Sequence, residues 1–186
     1  PKDFKIIRDT IKVDSVIWEL KGNDVAYIHI IQFDQPLPSD FKKAVFEILK
    51  SPAKKIVLDL RNNPGGYLEV AQDIAGWFLQ SGQVVTIEDF GKGKSQQIYK
   101  AEGNATFANY PMVVLMNKGS ASASEILAGA LRDDRNIELI GEKSFGKGSV
   151  QTLIPLRGDG AMRLTTARYY TPSGRSIQAL GISPDL

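Results

Sequence analysis

The sequence predicts an α/β fold in which buried strands alternate with helices and β-hairpins are added at the edges. Two apolar runs, residues 55–60 and 112–116, are typical of strands buried on both faces of a parallel sheet. Helix-periodic segments lie between and beyond these runs, and the alternation extends over residues 25–141. Such alternation indicates βαβ units around a parallel sheet.

The other elements are predicted from local patterns and turn residues. One helix is expected to begin at the cap residue Ser39 and to end before Pro52, and a second covers residues 67–80. Further strands are predicted at residues 4–20 (one or two strands), 25–33, 84–87, 96–99, 137–141, 150–156 and 161–169. The segments 84–87 and 96–99 form one predicted hairpin, and 150–156 and 161–169 form another. We expect an N-terminal strand segment, residues 1–24, that leads into a core, residues 25–186.

Composition narrows the possible function. A chain of 186 residues is long enough to bury a core without disulfide or metal support, and its net charge of +2 is too small to indicate nucleic-acid or membrane binding. The absence of cysteine excludes thiol catalysis and thiolate metal sites. No apolar run approaches the length of a membrane span. Because the chain begins with Pro1, we expect an excised or processed fragment.

A buried strand that opens a helix through a polar turn is predicted around Ser122. The run 112–116 is followed by small and polar residues up to Ser122, and apolar residues then recur at helical spacing. Unpaired N–H groups at a helix start carry partial positive charge and can stabilise a developing oxyanion. Ser122 is therefore a candidate nucleophile. Ser122 and Glu125 also fit the S-x-x-E capping box, in which the serine is only a cap.

Lys147 is the candidate base for such a serine. The single histidine, His29, lies in a strand-like run where a structural role is expected. Lysine acts as a base only when neutral, and burial or a nearby positive dipole lowers the pKa of an amine from its usual value of ~10.4. Lys147 lies between Gly146 and Gly148, which have no Cβ and let the backbone approach another segment. A Gly-Lys-Gly sequence also occurs at ordinary loop tips, so both interpretations stand at this point.

A second glycine-rich turn, residues 61–66, follows the strand 55–60. Gly65 and Gly66 allow the backbone to come close to a ligand and to present N–H groups at the start of the next helix. A plain strand-to-helix turn explains these glycines equally well.

Four segments together resemble the C-terminal processing peptidases of serine peptidase family S41. The most specific are GSASASEILAGALRDD at 119–134 and GEKSFGKGSVQ at 141–151. LDLRNNPGG at 58–66 and TARYYTPSGRSIQALGISPD at 166–185 extend the similarity over nearly the whole chain. The resemblance implies a ClpP/crotonase-like core and a serine endopeptidase that cleaves near the C-terminus of protein substrates.

The resemblance also implies a role for each matched residue. The nucleophile of the family falls on Ser122, its general base on Lys147, and the residue that positions the lysine on Gln151. The oxyanion hole falls on the N–H of Ala123 together with one of the two turn glycines.

For that second donor the match leaves Gly65 and Gly66 open, and we favour Gly66. Asp133 matches an aspartate that is important in some members, and its role is structural or accessory.

The implied partner is an extended polypeptide, bound through its C-terminal region, with no metal or other cofactor and no nucleic acid. Residues 141–147 nearly match a phosphate-binding loop, but Gly148 replaces the required hydroxyl residue and a strand follows, so no nucleotide is expected. Family members usually carry an export signal and a PDZ domain, and neither is recognisable in this chain. The resemblance implies an extracytoplasmic location (periplasm, cell envelope or thylakoid lumen). The oligomeric state is left open. The alternative function is a catalytically silent S41-fold module that binds a small apolar ligand or a peptide.

Overall fold

A computed structural model describes Phe4, residues 13–158 and residues 160–186 of the chain. The described residues form three helices: α1 Leu37–Lys50, α2 Leu68–Ala75 and α3 Ala123–Arg135. They also form nine strands: β1 Val16–Lys21, β2 Val25–Ile30, β3 Lys55–Asp59, β4 Val84–Asp89, β5 Gln97–Lys100, β6 Met112–Met116, β7 Glu138–Gly141, β8 Ser149–Pro155 and β9 Ala161–Tyr170. No helix within these ranges is both long and apolar enough to span a membrane.

The central sheet has five strands in the order β1-β2-β3-β6-β7. β1 is antiparallel to β2, whereas β2, β3, β6 and β7 run parallel to one another, which confirms the predicted βαβ units. β3 and β6 are neighbours, so their carboxyl ends lie side by side at one edge of the sheet. The two glycine- and serine-rich turns that follow these strands therefore begin next to each other.

The second sheet has four antiparallel strands in the order β5-β4-β9-β8. Both predicted hairpins, β4–β5 and β8–β9, are formed, and the pairing of β4 with β9 joins them into one sheet. β8, which carries Gln151, is an edge strand whose outer side pairs with no strand of the described residues.

Helix α3 lies at the centre of the core. Its first nine residues, Ala123 to Leu131, are all buried, and the helix packs against α2, β4 and β7. The sequence predicted an apolar stripe on one side of this helix. In the structure the amino-terminal half is enclosed on every side, as is typical of a helix inside a fold and not on its surface.

Two predicted helix bounds are wrong. Helix α1 begins at Leu37 and not after a cap at Ser39, because Pro38 fits the first turn of a helix and the Ser39 hydroxyl donates to the Pro36 carbonyl instead (2.9 Å). Helix α2 ends at Ala75 and not at residue 80. The carbonyls of Gly76 and Trp77, which a longer helix would need, accept hydrogen bonds from the N–H groups of Ala105 and Phe107.

The predicted N-terminal strands are described only in part. β1 forms the edge of the central sheet, and the remainder of the 4–20 prediction, apart from Phe4, falls on residues 5–12, which lie outside the described residues. The strand predicted at 25–33 ends at Ile30, and Phe33 instead forms a single parallel bridge with Gly66.

Candidate active site

Ser122 has an unusual backbone conformation at the start of α3. Its φ of 56° and ψ of −116° lie in a region that residues other than glycine rarely occupy. Holding a side-chain residue there costs on the order of 1–3 kcal/mol, and such strain is concentrated at functional sites. The residue is half-buried, and the N–H of Ala123 has no acceptor within the described residues. The turn therefore presents a hydroxyl and a free donor together.

Gly65 lies directly against this turn. A Cβ on Gly65 would be 2.7 Å from the Ser122 Cβ and 2.9 Å from the Ala123 nitrogen. The Gly65 N–H donates to the Asn63 Oδ1 (2.9 Å), whereas the N–H of Gly66 has no acceptor in the part of the chain that the structure describes. Among the described residues, the N–H groups of Ala123 and Gly66 thus both lack an acceptor, and they are the pair favoured from the sequence for an oxyanion hole.

Asn63 joins the glycine turn to the serine turn. Its side chain is fully buried, and its Nδ2 donates to the Ile30 carbonyl at the end of β2 (2.7 Å). Its own carbonyl accepts from the Ala121 N–H (2.9 Å) and from the Ser124 Oγ (3.0 Å). These contacts hold the backbone of both turns in one arrangement. Asn63 is not predicted as a site residue from the sequence, because a second asparagine in a turn has no distinctive pattern.

Glu125 joins the serine turn to the loop that carries Lys147. This carboxyl group is fully buried and accepts hydrogen bonds from the N–H groups of Ser122 (2.9 Å), Gly146 (2.7 Å) and Lys147 (2.8 Å), and from the Ser144 hydroxyl. From the sequence, Glu125 is predicted only as part of a capping box. An acidic residue within an otherwise apolar helix start is a signal of a buried, fully hydrogen-bonded role.

The glycines that flank Lys147 allow a close approach, as predicted, and the segment they contact is 177–181. A Cβ on Gly148 would lie 2.4 Å from the Gln178 nitrogen, and one on Gly146 would lie 3.0 Å from the Gly181 nitrogen. The loop is therefore fixed from behind by residues 177–181 and from the front by Glu125. Lys147 itself is exposed.

One cavity of about 430 Å³ contains Ser122, Lys147 and Gln151. Gln151 reaches it from β8, which begins just after the Lys147 loop. The remaining lining residues are Ser149, Val150, Leu153, Arg163 and Tyr169. Three of the predicted site residues, from two separate segments of the chain, thus line a common space.

Asp133 lies away from this cavity, near the other end of α3. At the rise of an α-helix it is about 16 Å along the axis from Ser122. Its carboxylate accepts from the N–H (3.0 Å) and the hydroxyl (2.6 Å) of Ser173, and it lines a separate cavity of about 730 Å³. Burial opposes its ionisation, but hydrogen bonds from Ser173 and Thr171 outweigh that effect and lower its pKa. These contacts tie the helix end to the turn after β9.

An ion pair between the buried Asp59 and the exposed Arg61 supports the start of the glycine turn. Asp59, at the end of β3, accepts from the Arg61 Nε (3.0 Å) and Nη2 (2.6 Å), from the Arg61 N–H (2.9 Å) and from the Tyr27 hydroxyl. Burial opposes the charge, yet these bonds lower the pKa of Asp59. The network fixes the direction in which the chain leaves β3, and no local sequence pattern predicts it.

Comparison with known proteins identifies the family of this site. The model of "Peptidase family S41" matches residues 24–186. The chain belongs to peptidase family S41. It is 48% identical over 190 residues to a carboxy-terminal-processing protease of Bartonella bacilliformis. The aligned region covers 100% of this chain and 43% of that protein. It is 40% identical over 190 residues to a carboxyl-terminal-processing protease of Synechocystis, with 100% and 44% covered. The chain thus spans less than half the length of these S41 relatives.

Solved structures agree with the S41 fold. The photosystem II D1 C-terminal processing protease superposes with a TM-score of 0.84 at 31% identity, covering 95% of this chain and 48% of that one. The tricorn protease superposes with a TM-score of 0.60 at 18% identity, covering 87% and 15%, and at that identity the likeness shows the fold alone. The α/β fold with added hairpins that the sequence predicted is confirmed.

Proposed function

We propose that this chain is the catalytic core of a serine endopeptidase that cleaves polypeptides near their C-terminus, with Ser122 as nucleophile and Lys147 as general base. The observation that carries the proposal is the strained φ of Ser122, at a helix start, in a cavity that Lys147 and Gln151 also line. The family supports the reaction class, and the names of the S41 relatives support the preference for C-terminal regions.

The reaction follows from these positions. Neutral Lys147 takes the proton of the Ser122 hydroxyl as the oxygen attacks the scissile carbonyl carbon. The N–H groups of Ala123 and Gly66 stabilise the oxyanion, and one such donor is typically worth ~3 kcal/mol of barrier. The lysine then gives its proton to the leaving amine as the C–N bond breaks. Water then attacks the acyl-enzyme and loses a proton to the Lys147 amine. As the acyl group leaves, this proton is transferred to the Ser122 oxygen.

Gln151 and the substrate complete the site. Lys147 is exposed, so the exclusion of water that favours a neutral amine comes from the bound polypeptide. Gln151 orients the lysine amine by accepting one of its hydrogen bonds. The unpaired edge of β8 suits an extended chain, which can add to the sheet as a further strand. Asp133, remote from the cavity, supports the helix and takes no part in the chemistry.

The silent binding module, the alternative considered from the sequence, has no observation in its favour. As the family resemblance implies, we also expect the protein to act outside the cytoplasm, and fractionation of the producing cells tests this location.

Matched variants test the proposal. Ser122→Ala and Lys147→Ala should each abolish cleavage of a fluorogenic peptide with an apolar C-terminus, while thermal unfolding stays within a few degrees of wild type. A fluorophosphonate probe should add one mass increment to the wild type and none to Ser122→Ala. Lys143→Ala is the control, because Lys143 is an exposed lysine of the same loop that lies outside the cavity.

Wild-type rates in Lys147→Ala would contradict the assignment of the base. Activity of the wild type should also fall toward low pH, because a protonated amine cannot accept the serine proton. A flat acid limb would point to another base.

A further inference from the structure

The hairpin β8–β9 forms the wall of the cavity opposite the serine turn. Gln151 and Leu153 line the cavity from β8, and Arg163 lines it from β9. Leu153 and Arg163 are directly opposite each other in the antiparallel pair. Residues opposite each other across two strands project from the same face of the sheet, so this apolar side chain and this cation lie side by side.

The charge of the cavity is one-sided. Among the residues that the structure describes, the charged lining residues are Lys147 and Arg163, and no acidic residue of these ranges lines the cavity. The guanidinium of Arg163 is exposed, and this side chain forms no ion pair or hydrogen bond with any residue that the structure describes. A general-base lysine must be neutral when it acts, so Arg163 is the permanent cation of the site. A guanidinium binds a carboxylate through two parallel hydrogen bonds, which makes a carboxylate its preferred ligand.

The position of this cation suits a residue of a bound polypeptide. β8 is the edge strand beside it, and Leu153 is 63% exposed. A chain that pairs with the free edge of β8 presents alternate side chains to the face that holds Leu153 and Arg163. That chain would cover the apolar surface and bring a carboxylate within reach of the guanidinium.

We propose that Arg163 is a specificity-determining residue that binds a substrate carboxylate next to the cleaved bond, with Leu153 covering the adjoining apolar part of the substrate. The inference rests on the proposed peptidase function and adds the chemical class of substrate. The carboxylate comes either from an acidic side chain or from the free C-terminus.

Paired peptides distinguish these two sources. In the first pair the C-terminus is amidated and a Glu near the cleaved bond is replaced by Gln. In the second pair no acidic side chain is present, and a free C-terminus is compared with an amide. For one pair, the wild type should have a kcat/KM about tenfold higher for the carboxylate peptide than for the neutral one, mainly through a lower KM. A hydrogen bond to a charged group on a partly exposed surface contributes enough binding free energy for a difference of that size.

Variants of Arg163 give the decisive comparison. Arg163→Gln should cleave both members of the pair at the wild-type rate for the neutral peptide, and Arg163→Glu should prefer a peptide with Lys at the same position. Arg168→Gln is the matched control, because Arg168 lies on the same strand, carries the same charge and lines a different cavity. It should keep the wild-type preference.

A binding measurement separates failure of this inference from failure of the proposed function. Fluorescence anisotropy with Ser122→Ala, which needs no turnover, should show the same preference for the carboxylate peptide, and the double variant Ser122→Ala/Arg163→Gln should lose it. Equal binding of both members of each pair by Ser122→Ala overturns the role of Arg163, whether or not the wild type cleaves. A preference that survives in the double variant overturns it as well.

Discussion

Replacement of Gly65 by alanine tests how closely the glycine turn and the serine turn must approach. The added Cβ would lie 2.6 Å from the Ala121 carbonyl oxygen, 2.7 Å from the Ser122 Cβ and 2.9 Å from the Ala123 nitrogen. Ordinary contact begins near 3.4 Å, and two of these three atoms belong to the backbone and cannot rotate away. The serine turn must therefore move by several tenths of an ångström.

Two free-energy terms add in this variant. Gly65 has a φ of +97°, and an L-residue in a left-handed conformation is destabilised by roughly 1–2 kcal/mol. Overpacking against the turn adds about 1–3 kcal/mol. We expect the free energy of unfolding of Gly65→Ala to fall by about 2–5 kcal/mol. Because a displacement of about 1 Å in a reacting group can lower a rate ~100-fold, kcat should fall by one to two orders of magnitude.

Gly82→Ala is the matched control. Gly82 has nearly the same φ, +92°, but nothing lies within 4 Å of its Cβ position. This variant should lose only the conformational term of roughly 1–2 kcal/mol and should keep wild-type activity. The difference between the two variants then isolates the contact with the serine turn.

Urea unfolding and peptide cleavage provide the two measurements. Midpoints compared at equal m-values give the difference in stability. If Gly65→Ala unfolds at the same midpoint as Gly82→Ala and cleaves at the wild-type rate, the close approach of the two turns has no energetic or catalytic weight, and the geometry assigned to the oxyanion hole is wrong.

Two acidic residues, Glu125 and Asp133, give independent tests. Glu125→Gln leaves at least one buried N–H, of Lys147, Ser122 or Gly146, without an acceptor. It should therefore destabilise the protein by about 2–4 kcal/mol and lower kcat in the same urea and cleavage assays. Glu142→Gln, at an exposed position, is the control and should change neither quantity. Asp133 has a lowered pKa in the folded protein, so its stabilising contribution is complete above its reference pKa of 3.8 and is lost as the pH falls below it. Asp133→Asn should therefore be less stable than wild type at pH 7 and show a shallower loss of stability between pH 4 and 3. If the free energy of unfolding of the two proteins falls in parallel with pH, the assigned contacts are wrong.

Local patterns predicted most elements of this fold. The buried strands β3 and β6, both hairpins and the start of α3 follow from runs of apolar residues and from turn residues, which act over a few positions. The predicted end of α2 was wrong because its last carbonyls bond to Ala105 and Phe107. That competition comes from residues about 30 positions away, and no local pattern reports it.

The sequence by itself determined the family and the alternation of strands and helices, and it singled out Ser122, Lys147 and Gln151 as candidates, because motifs and short-range periodicity depend on neighbouring residues. Tertiary structure decided how these residues are held. The buried carboxyl of Glu125, the bridging amide of Asn63 and the choice of Gly66 over Gly65 as the free donor depend on hydrogen bonds between segments that are distant in the chain. Those bonds exist only once β3 and β6 lie side by side, so they belong to the fold and not to any one stretch of sequence.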